Sequence, residues 1–238
     1  MANDPRTSDL EKAVAARASL RFVHGGNIVG LGTGSTAAHA VRFLGERVRA
    51  GLQIRGIPTS VHTRDLATSV GIPLTTFDEI QPIGLHPIDV TIDGADEFDA
   101  HLRLIKGGGG ALLREKIIAS ASKQVVIIAD SSKQVAVLGK FPLPVEVIAF
   151  AQSLVAARIT ALGATVKLRQ DAKGNPFVSD EGHHILDCSF GQIPDPPSLA
   201  RTLSDMPGIV EHGLFIDLAT VVLVAKGETV AELRGGVA

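Results

Sequence analysis

The sequence predicts an α/β fold with a Rossmann-like, mostly parallel sheet flanked by helices, and a second, smaller ferredoxin-like α+β domain. Two observations predict this fold class. Short apolar runs typical of buried strands alternate with helical patterns up to about residue 130, as in chains that form parallel sheets. After residue 144 the predicted elements follow the order strand, helix, strand, strand, helix, strand, which is the order of a ferredoxin-like domain.

The first domain is predicted to open with a helix. Ser8 followed by Glu11 is a capping-box pattern, which marks the start of a helix, and Gly25 with Gly26 marks its end. Further helices are expected after residue 36, after the capping residue Ser60, and over about residues 111–121. The apolar runs between the helices predict buried strands at residues 28–32, 54–58, 88–92 and 125–129.

Residues 140–144 contain two prolines and form the predicted domain boundary. The boundary gives a first domain of residues 1–144 and a smaller domain of residues 145–216, and a strand within about 217–238 returns to the first domain. The smaller domain is predicted to contain helices at 151–162 and after Pro196, and strands at 145–148, 165–168, 185–188 and 209–215.

Composition excludes several classes of protein. Lys and Arg number 23 and Asp and Glu number 25, so the chain lacks the basic excess of a nucleic-acid-binding protein. No apolar run reaches the roughly 18 residues of a membrane span, and the first nine residues lack the apolar core of a secretory signal. A single cysteine, Cys188, excludes a disulfide framework. We therefore expect a soluble, cytoplasmic protein with no nucleic-acid or membrane partner.

The first candidate binding motif is Gly-Leu-Gly-Thr-Gly-Ser-Thr at residues 30–36, directly after a predicted strand. Glycines let backbone N–H groups approach an anion, and the start of the next helix is electropositive. The candidate anion ligands are Thr33, Gly34, Ser35 and Thr36. The motif lacks the Gly-Lys-Ser/Thr of a P-loop and fits the dinucleotide fingerprint poorly. A tight turn that simply needs glycine is the alternative.

The second motif is Asp-Gly-Ala-Asp-Glu at residues 93–97, also after a predicted strand. Carboxylates this close together indicate acid–base chemistry, a Mg²⁺ site, or an Asp-rich turn that caps local N–H groups. The sequence offers no further convergent ligand for a metal ion.

The third motif places Lys106 before four glycines, residues 107–110, and a predicted helix. Four glycines cost backbone entropy, which favours a loop that closely approaches a ligand. Glu115 falls early in the helix, where it either faces the loop or simply complements the helix dipole. Together the three motifs suit a phosphorylated polar substrate that undergoes proton transfer. The histidines His183, His184 and His212, and Cys188, are predicted to be structural.

At these motifs the sequence resembles the type A ribose-5-phosphate isomerases. The resemblance extends to Asp-Ser-Ser-Lys-Gln at residues 130–134, to residues 138–147, and to residues 208–215, and covers nearly the whole chain. It implies conversion of D-ribose 5-phosphate to D-ribulose 5-phosphate in the non-oxidative pentose phosphate pathway, without metal or cofactor. It also implies a homodimer or a dimer of dimers.

Carried over position by position, the resemblance assigns Glu115 as the catalytic base. It assigns substrate contacts to Thr33, Gly34, Ser35, Thr36, Asp93, Gly94, Ala95, Asp96, Lys106, Gly107, Gly108, Gly109 and Lys133. Two positions depart from the family pattern: Gly110 stands where relatives often have Ala, and Glu11 with Lys12 replaces a frequent lysine pair. The phosphate ligand is therefore left open among Lys12, Lys133 and Lys140.

The chemistry of this isomerisation is consistent with the motifs. One carboxylate on one face of a cis-enediolate can remove the C2 proton and deliver it to C1, which is the role expected of Glu115. Lys106 and glycine-loop amides are expected to stabilise the enediolate oxygens, and Asp93 or Asp96 to move a proton during ring opening. The rival hypotheses are a non-catalytic sugar-phosphate sensor, an amino-sugar-phosphate deaminase and a CoA transferase.

Overall fold

The computed structural model describes residues 5–80 and 84–235. Residues 1–4, part of the segment searched for a secretory signal, lie outside the described residues. The helices are α1 (Pro5–Ser19), α2 (Ser35–Arg49), α3 (Val61–Ser69), α4 (Phe77–Ile80), α5 (Leu112–Ser120), α6 (Gln152–Ala161) and α7 (Pro196–Ser204). The strands are β1 (Ile28–Leu31), β2 (Arg55–Pro58), β3 (Val90–Gly94), β4 (Glu97–Phe98), β5 (Leu104–Ile105), β6 (Val125–Asp130), β7 (Leu143–Val147), β8 (Thr165–Leu168), β9 (His184–Ser189), β10 (Ile209–His212), β11 (Leu214–Phe215), β12 (Val221–Lys226) and β13 (Thr229–Arg234).

The chain forms two compact units. The first consists of Met1–Ala95, Arg114–Lys133 and Asp217–Ala238, and the second of Asp96–Leu113 and Gln134–Ile216. Residues 96–113 and 134–144, which were predicted to belong to the first domain, group with the second unit. The physical reason is strand pairing, because β4 and β5 form a sheet with β11, and Leu143 and Pro144 belong to β7.

The first unit contains the predicted parallel sheet. Its strand order is β13-β12-β6-β3-β1-β2, and every neighbouring pair except β12–β13 is parallel. Both faces of this sheet are covered, which explains the continuous apolar sequence of β6. On β1, Val29 and Leu31 pack in the core that α1 and α2 share, and Gly30 on the opposite face lies against Ile118 of α5.

The sequence correctly predicts that the last apolar segment returns to this sheet, because β12 pairs with β6. It misses β13, which forms the antiparallel edge of the sheet. All six residues of β13 are exposed or half-buried, and its sequence, Thr-Val-Ala-Glu-Leu-Arg, contains no continuous apolar run by which the strand could be recognised.

The second unit contains the ferredoxin-like sheet. Strands β7, β8, β9 and β10 pair in the order β10-β7-β9-β8, all antiparallel, with α6 and α7 as the intervening helices. The strand predicted over residues 209–215 is divided at Gly213. There the chain leaves β7 and joins β5, since Gly213 N–H donates to Pro144 and its carbonyl accepts from Lys106.

Candidate active site

Three of the predicted segments meet at one edge of the first unit's sheet. Strands β1, β3 and β6 are neighbours and run parallel, so their carboxyl ends lie side by side. The segments that follow these strands are residues 32–36, residues 93–95 and residues 130–133. The carboxyl edge of an open parallel sheet is where ligands bind in this class of fold.

Asp93 connects the first two segments. Its Oδ1 atom accepts hydrogen bonds from the N–H of Thr33 at 3.1 Å and from the N–H of Gly94 at 2.7 Å. Asp93 is 2% exposed. Gly32 lies so close that an added Cβ would come within 2.6 Å of the Asp93 Cα, which requires glycine at this position.

In the first motif, the Thr33 side chain contacts other hydroxyl groups, whereas the next two residues are exposed. The Thr33 hydroxyl lies within hydrogen-bond distance of three others, those of Thr59, Ser60 and Thr63, at 2.7, 2.8 and 3.1 Å. This side chain therefore fixes the turn. Gly34 and Ser35 are exposed, and Gly34 caps α2 with a φ of 104°. Thr36 is buried in the first turn of the helix. The exposed start of α2 thus offers backbone N–H groups to an anion.

Glu115 lies in the first turn of α5 and is 4% exposed. The other end of this helix is tied to the start of β3, since Ile88 N–H donates to Ala121 and Lys123 N–H donates to Ile88. Glu115 is three residues, or about 4.5 Å of helix rise, nearer the N-terminus of α5 than Ile118, and that end of the helix lies toward the carboxyl edge of the sheet. The Cα–Cβ bonds of a helix tilt toward its N-terminus, so the Glu115 side chain leaves the helix in the direction of the edge that carries Asp93.

In the second unit, Asp96 and the glycine loop are held together. The Asp96 carboxylate accepts a hydrogen bond from Gly108 N–H at 2.7 Å, and its own N–H donates to Ile105 at 2.8 Å. Lys106 is 3% exposed, and its ammonium lies 5.5 Å from the centre of the Phe215 ring. Gly107 is buried, whereas Gly108 and Gly109 are exposed at the tip of the loop.

The carboxylates of residues 93–97 have separate backbone partners. Glu97, which is buried, accepts hydrogen bonds from the N–H groups of Gly139 and Phe141 at 2.9 and 2.6 Å, and so holds a loop of the second unit. Within residues 5–80 and 84–235, no group of three or more His, Cys, Asp or Glu side chains is placed to hold a metal ion.

Glu11 is not a helix cap. Helix α1 begins at Pro5, and the Glu11 carboxylate accepts hydrogen bonds from Ser131 N–H and hydroxyl at 3.0 and 2.9 Å, and from Gly227 N–H at 2.9 Å. It thereby anchors the short 3-10 helix Ser131–Lys133 that follows β6. Lys133 consequently lies at the same edge of the sheet as Thr33 and Asp93.

Three of the residues predicted to be structural, His212, Cys188 and His183, have contacts within the second unit. Buried His212 contacts the Ser204 hydroxyl at 3.1 Å, and Cys188 is fully buried. The Nδ1 atom of His183 lies 3.0 Å from the carboxylate of buried Glu146.

Comparison with known proteins identifies the family. Residues 55–229 match the family described as ribose 5-phosphate isomerase A (phosphoriboisomerase A). The ribose-5-phosphate isomerase A of Parvibaculum lavamentivorans is 52% identical over 232 residues, which cover 94% of this chain and 98% of that protein. That of Rhodopseudomonas palustris is 54% identical over 226 residues, covering 92% and 95% of the two chains.

The chain belongs to the ribose 5-phosphate isomerase A family. Solved structures agree with this result. The ribose 5-phosphate isomerase A of Methanocaldococcus jannaschii superposes with a TM-score of 0.87 at 40% identity, covering 95% of this chain and 98% of its own. A D-ribose-5-phosphate isomerase in complex with phospho-erythronic acid superposes with a TM-score of 0.90 at 37% identity, covering 95% and 99%.

As a ribose 5-phosphate isomerase A, the chain is an aldose–ketose isomerase that interconverts D-ribose 5-phosphate and D-ribulose 5-phosphate, a reaction of the pentose phosphate pathway. The hypothesis of a non-catalytic sensor is not favoured. In the part of the chain that the structure describes, no helix is both long and apolar enough to cross a membrane.

Proposed function

We propose that the isomerisation proceeds by one-base proton transfer through a cis-enediolate, with Glu115 as the base. One observation carries this proposal: Glu115 is a buried carboxylate in the first turn of α5, and this end of the helix lies toward the sheet edge that carries Asp93 and Thr33. A buried carboxylate that can reach a ligand at such an edge is a typical general base.

The proton transfers balance without a cofactor. Glu115 takes the proton from C2 of the open-chain aldose, and the electron pair moves through C1 to the carbonyl oxygen, forming the enediolate. The same carboxyl returns a proton to C1, while the C2 hydroxyl proton passes to the oxygen on C1, so that C1 becomes an alcohol and C2 the ketone. A positioned general base contributes about 10²–10⁴-fold to the rate.

In this proposal, Lys106 and the amides of the glycine loop stabilise the enediolate oxygens. Lys106 is buried, so its positive charge acts in a site of low dielectric, where it is worth more than in water. Gly108 and Gly109 are exposed at the tip of the loop. Because glycine has no side chain, a ligand can approach their backbone more closely than it could approach any larger residue. We also propose substrate contacts for Asp96 and Gly107, because Asp96 is hydrogen-bonded to this loop and Gly107 is part of it.

Asp93 is the proposed acid–base group for ring opening, since a cyclic sugar must open before C2 can lose its proton. Its orientation is fixed by the N–H groups of Thr33 and Gly94. We assign the phosphate to the exposed start of α2 at Gly34, Ser35 and Thr36, with Lys133 as the cationic partner. Lys133 is favoured over Lys12 and Lys140 because Glu11 anchors its turn at the ligand-binding edge.

A direct assay tests the proposal. The purified protein is mixed with ribose 5-phosphate, and ketopentose formation is followed with and without EDTA, with heat-denatured protein as the control. We expect equal rates in both samples and competitive inhibition by phospho-erythronic acid, whose planar carboxylate resembles the enediolate. Loss of activity with EDTA would revive a metal-dependent mechanism, and no activity in either sample would refute the proposed function.

Two further properties belong to the same proposal. A homo-oligomer, a dimer or a dimer of dimers, agrees with the exposed apolar side chains of Phe150 and Leu154, which are 98% and 54% exposed. A cytoplasmic location agrees with a substrate whose charged phosphate keeps it from crossing membranes. Sedimentation velocity at several protein concentrations tests the first property, and a monomer at every concentration would contradict it.

A further inference from the structure

We propose that Arg169 is a positioning residue for the reaction, because its guanidinium holds the carbonyl oxygens of Gly107 and Gly108 and thereby sets the direction of the loop amides. No motif of the sequence points to Arg169, which follows the short strand β8. The inference rests on the proposed function, since it concerns how the glycine loop meets the substrate.

The guanidinium is bound on two sides. Its Nη1 atom donates to the carbonyl of Gly107 at 2.8 Å and to that of Gly108 at 3.2 Å. Its Nε and Nη2 atoms donate to the two carboxylate oxygens of Asp187 on β9, at 3.0 and 2.5 Å. The Arg169 side chain is 13% exposed, so this bidentate pair is largely shielded from water.

Because a peptide group is planar, a hydrogen bond to its carbonyl oxygen also fixes the direction of its N–H. In a trans peptide the C=O and the following N–H point in opposite directions. The Gly107–Gly108 peptide is held at both ends, by Arg169 on its oxygen and by Asp96 on its N–H at 2.7 Å. In the next peptide Arg169 holds the oxygen, that of Gly108, and the N–H of Gly109 therefore points away from the guanidinium at the exposed tip of the loop.

Neighbouring side chains also restrict the conformation of the loop. A Cβ on Gly108 would lie 2.6 Å from the Asp96 carboxylate, so the backbone is in direct contact with that side chain. The Phe177 ring, whose centre is 5.8 Å from the guanidinium carbon of Arg169, also lies against Gly110. A lysine at residue 169 would keep the charge but lose the planar fork that reaches both carbonyls and the carboxylate.

The expected effect is on turnover more than on substrate binding. Donors that stabilise developing charge act mainly in the transition state, so a misdirected amide lowers kcat and changes KM little. We expect Arg169→Lys to lower kcat about 10-fold to 100-fold and to change KM less than about 3-fold. Removal of the Arg169 partner by Asp187→Asn should act in the same direction with a smaller effect.

The test combines kinetics with hydrogen exchange. The kcat and KM for ribose 5-phosphate are measured for Arg169→Lys, Arg169→Ala and Asp187→Asn, with Arg158→Ala, an exposed position on α6, as the matched control. Backbone exchange over residues 104–113 is measured on the same samples. We expect faster exchange in the loop of the three clamp variants and partial recovery of Arg169→Ala turnover with added methylguanidinium.

Two results would overturn the inference: Arg169→Lys with a kcat within twofold of the parent, or a lower kcat in variants whose loop exchange is unchanged. If Arg169→Ala fails to fold, Arg169→Lys and Asp187→Asn still decide the question. If the parent protein does not isomerise ribose 5-phosphate, the proposed function fails, whereas the exchange measurement tests the clamp without any activity.

Discussion

The backbone N–H of Thr33 donates a hydrogen bond to Oδ1 of Asp93 at 3.1 Å, and so fixes the turn after β1 to the end of β3. The same oxygen accepts the N–H of Gly94 at 2.7 Å. Two motifs that are 60 residues apart in the sequence therefore share one carboxylate oxygen. The orientation of Asp93 depends on the close approach of the two chain segments.

Gly32→Ala tests this close approach. The added Cβ would come within 2.6 Å of the Asp93 Cα, and backbone cannot yield as a flexible side chain can. We expect a loss of about 1–3 kcal/mol in the free energy of unfolding, together with lower activity. The measurement is urea unfolding, with Gly25→Ala as the control, because nothing lies within 4 Å of a Cβ there. Equal stability of the two variants would contradict the packing described.

Gly110→Ala should destabilise this chain. Gly110 has a φ of 81°, and an added Cβ would lie 2.5 Å from the Phe177 ring. The left-handed backbone alone costs Ala about 1–2 kcal/mol. Combined with Phe177→Leu, which removes the contact, Gly110→Ala should cause a smaller loss of stability. The part that remains is the cost of the left-handed backbone. A double-mutant cycle by urea unfolding measures both parts, and strictly additive losses would show that the ring does not oppose the new methyl group.

Glu11→Gln should alter the pH dependence of stability. Burial raises the pKa of Glu11, and hydrogen bonds from Gly227 and Ser131 lower it by more, so the net pKa lies below its ordinary value of 4.5. A carboxyl with a lowered folded-state pKa stabilises the protein above pH 4.5 and loses this contribution as the pH falls through the folded pKa.

At pH 7 we therefore expect Glu11→Gln to lose about 1–3 kcal/mol, because buried N–H groups lose their charged acceptor. The difference from the parent should shrink below pH 4.5. Denaturant unfolding across pH 3–7 is the measurement, with exposed Glu46→Gln on α2 as the control. A difference that stays constant over this range would refute the account of Glu11.

The elements whose signals are local were predictable from the sequence. Ser60, for example, was predicted as a helix cap, and its hydroxyl accepts from Thr63 N–H at 3.0 Å. Glu11 shows the limit of such patterns, because its true partner, Ser131, is 120 residues away and is brought to it by the sheet. Arg169 is a similar case, since an arginine after a short strand carries no local signal of the carbonyls that it holds.

The placement of the candidate site was partly predictable for a physical reason. Parallel strands bring their carboxyl ends to one edge, so the segments at Thr33 and Asp93 were expected to meet once the strands were recognised, whereas Lys133 was assigned by the family resemblance alone. The division of the chain into units was not predictable, because it depends on the pairing of β4, β5 and β11, which are two residues each. Strands this short have no periodicity to detect.

Cys188 should not react with thiol reagents in the folded protein. Burial, together with the charge of Asp187, raises the pKa of the Cys188 thiol to about 12. Because the thiolate is the reactive form, we expect a reaction at pH 8 about a thousandfold slower than that of a free thiol. Release of thionitrobenzoate from DTNB measures this, with the urea-unfolded protein as the fast control. Rapid labelling of the native protein would show that the strand is not buried.

Glu115→Gln in heavy water tests most directly whether the carboxylate of Glu115 moves the proton. The amide keeps the shape of the side chain and cannot accept the C2 proton. We predict that turnover of ribose 5-phosphate falls about 10²–10⁴-fold and that deuterium is no longer incorporated into the substrate during the assay. A variant that keeps more than about a tenth of the parent turnover, or that still exchanges deuterium at the parent rate, would contradict the assignment.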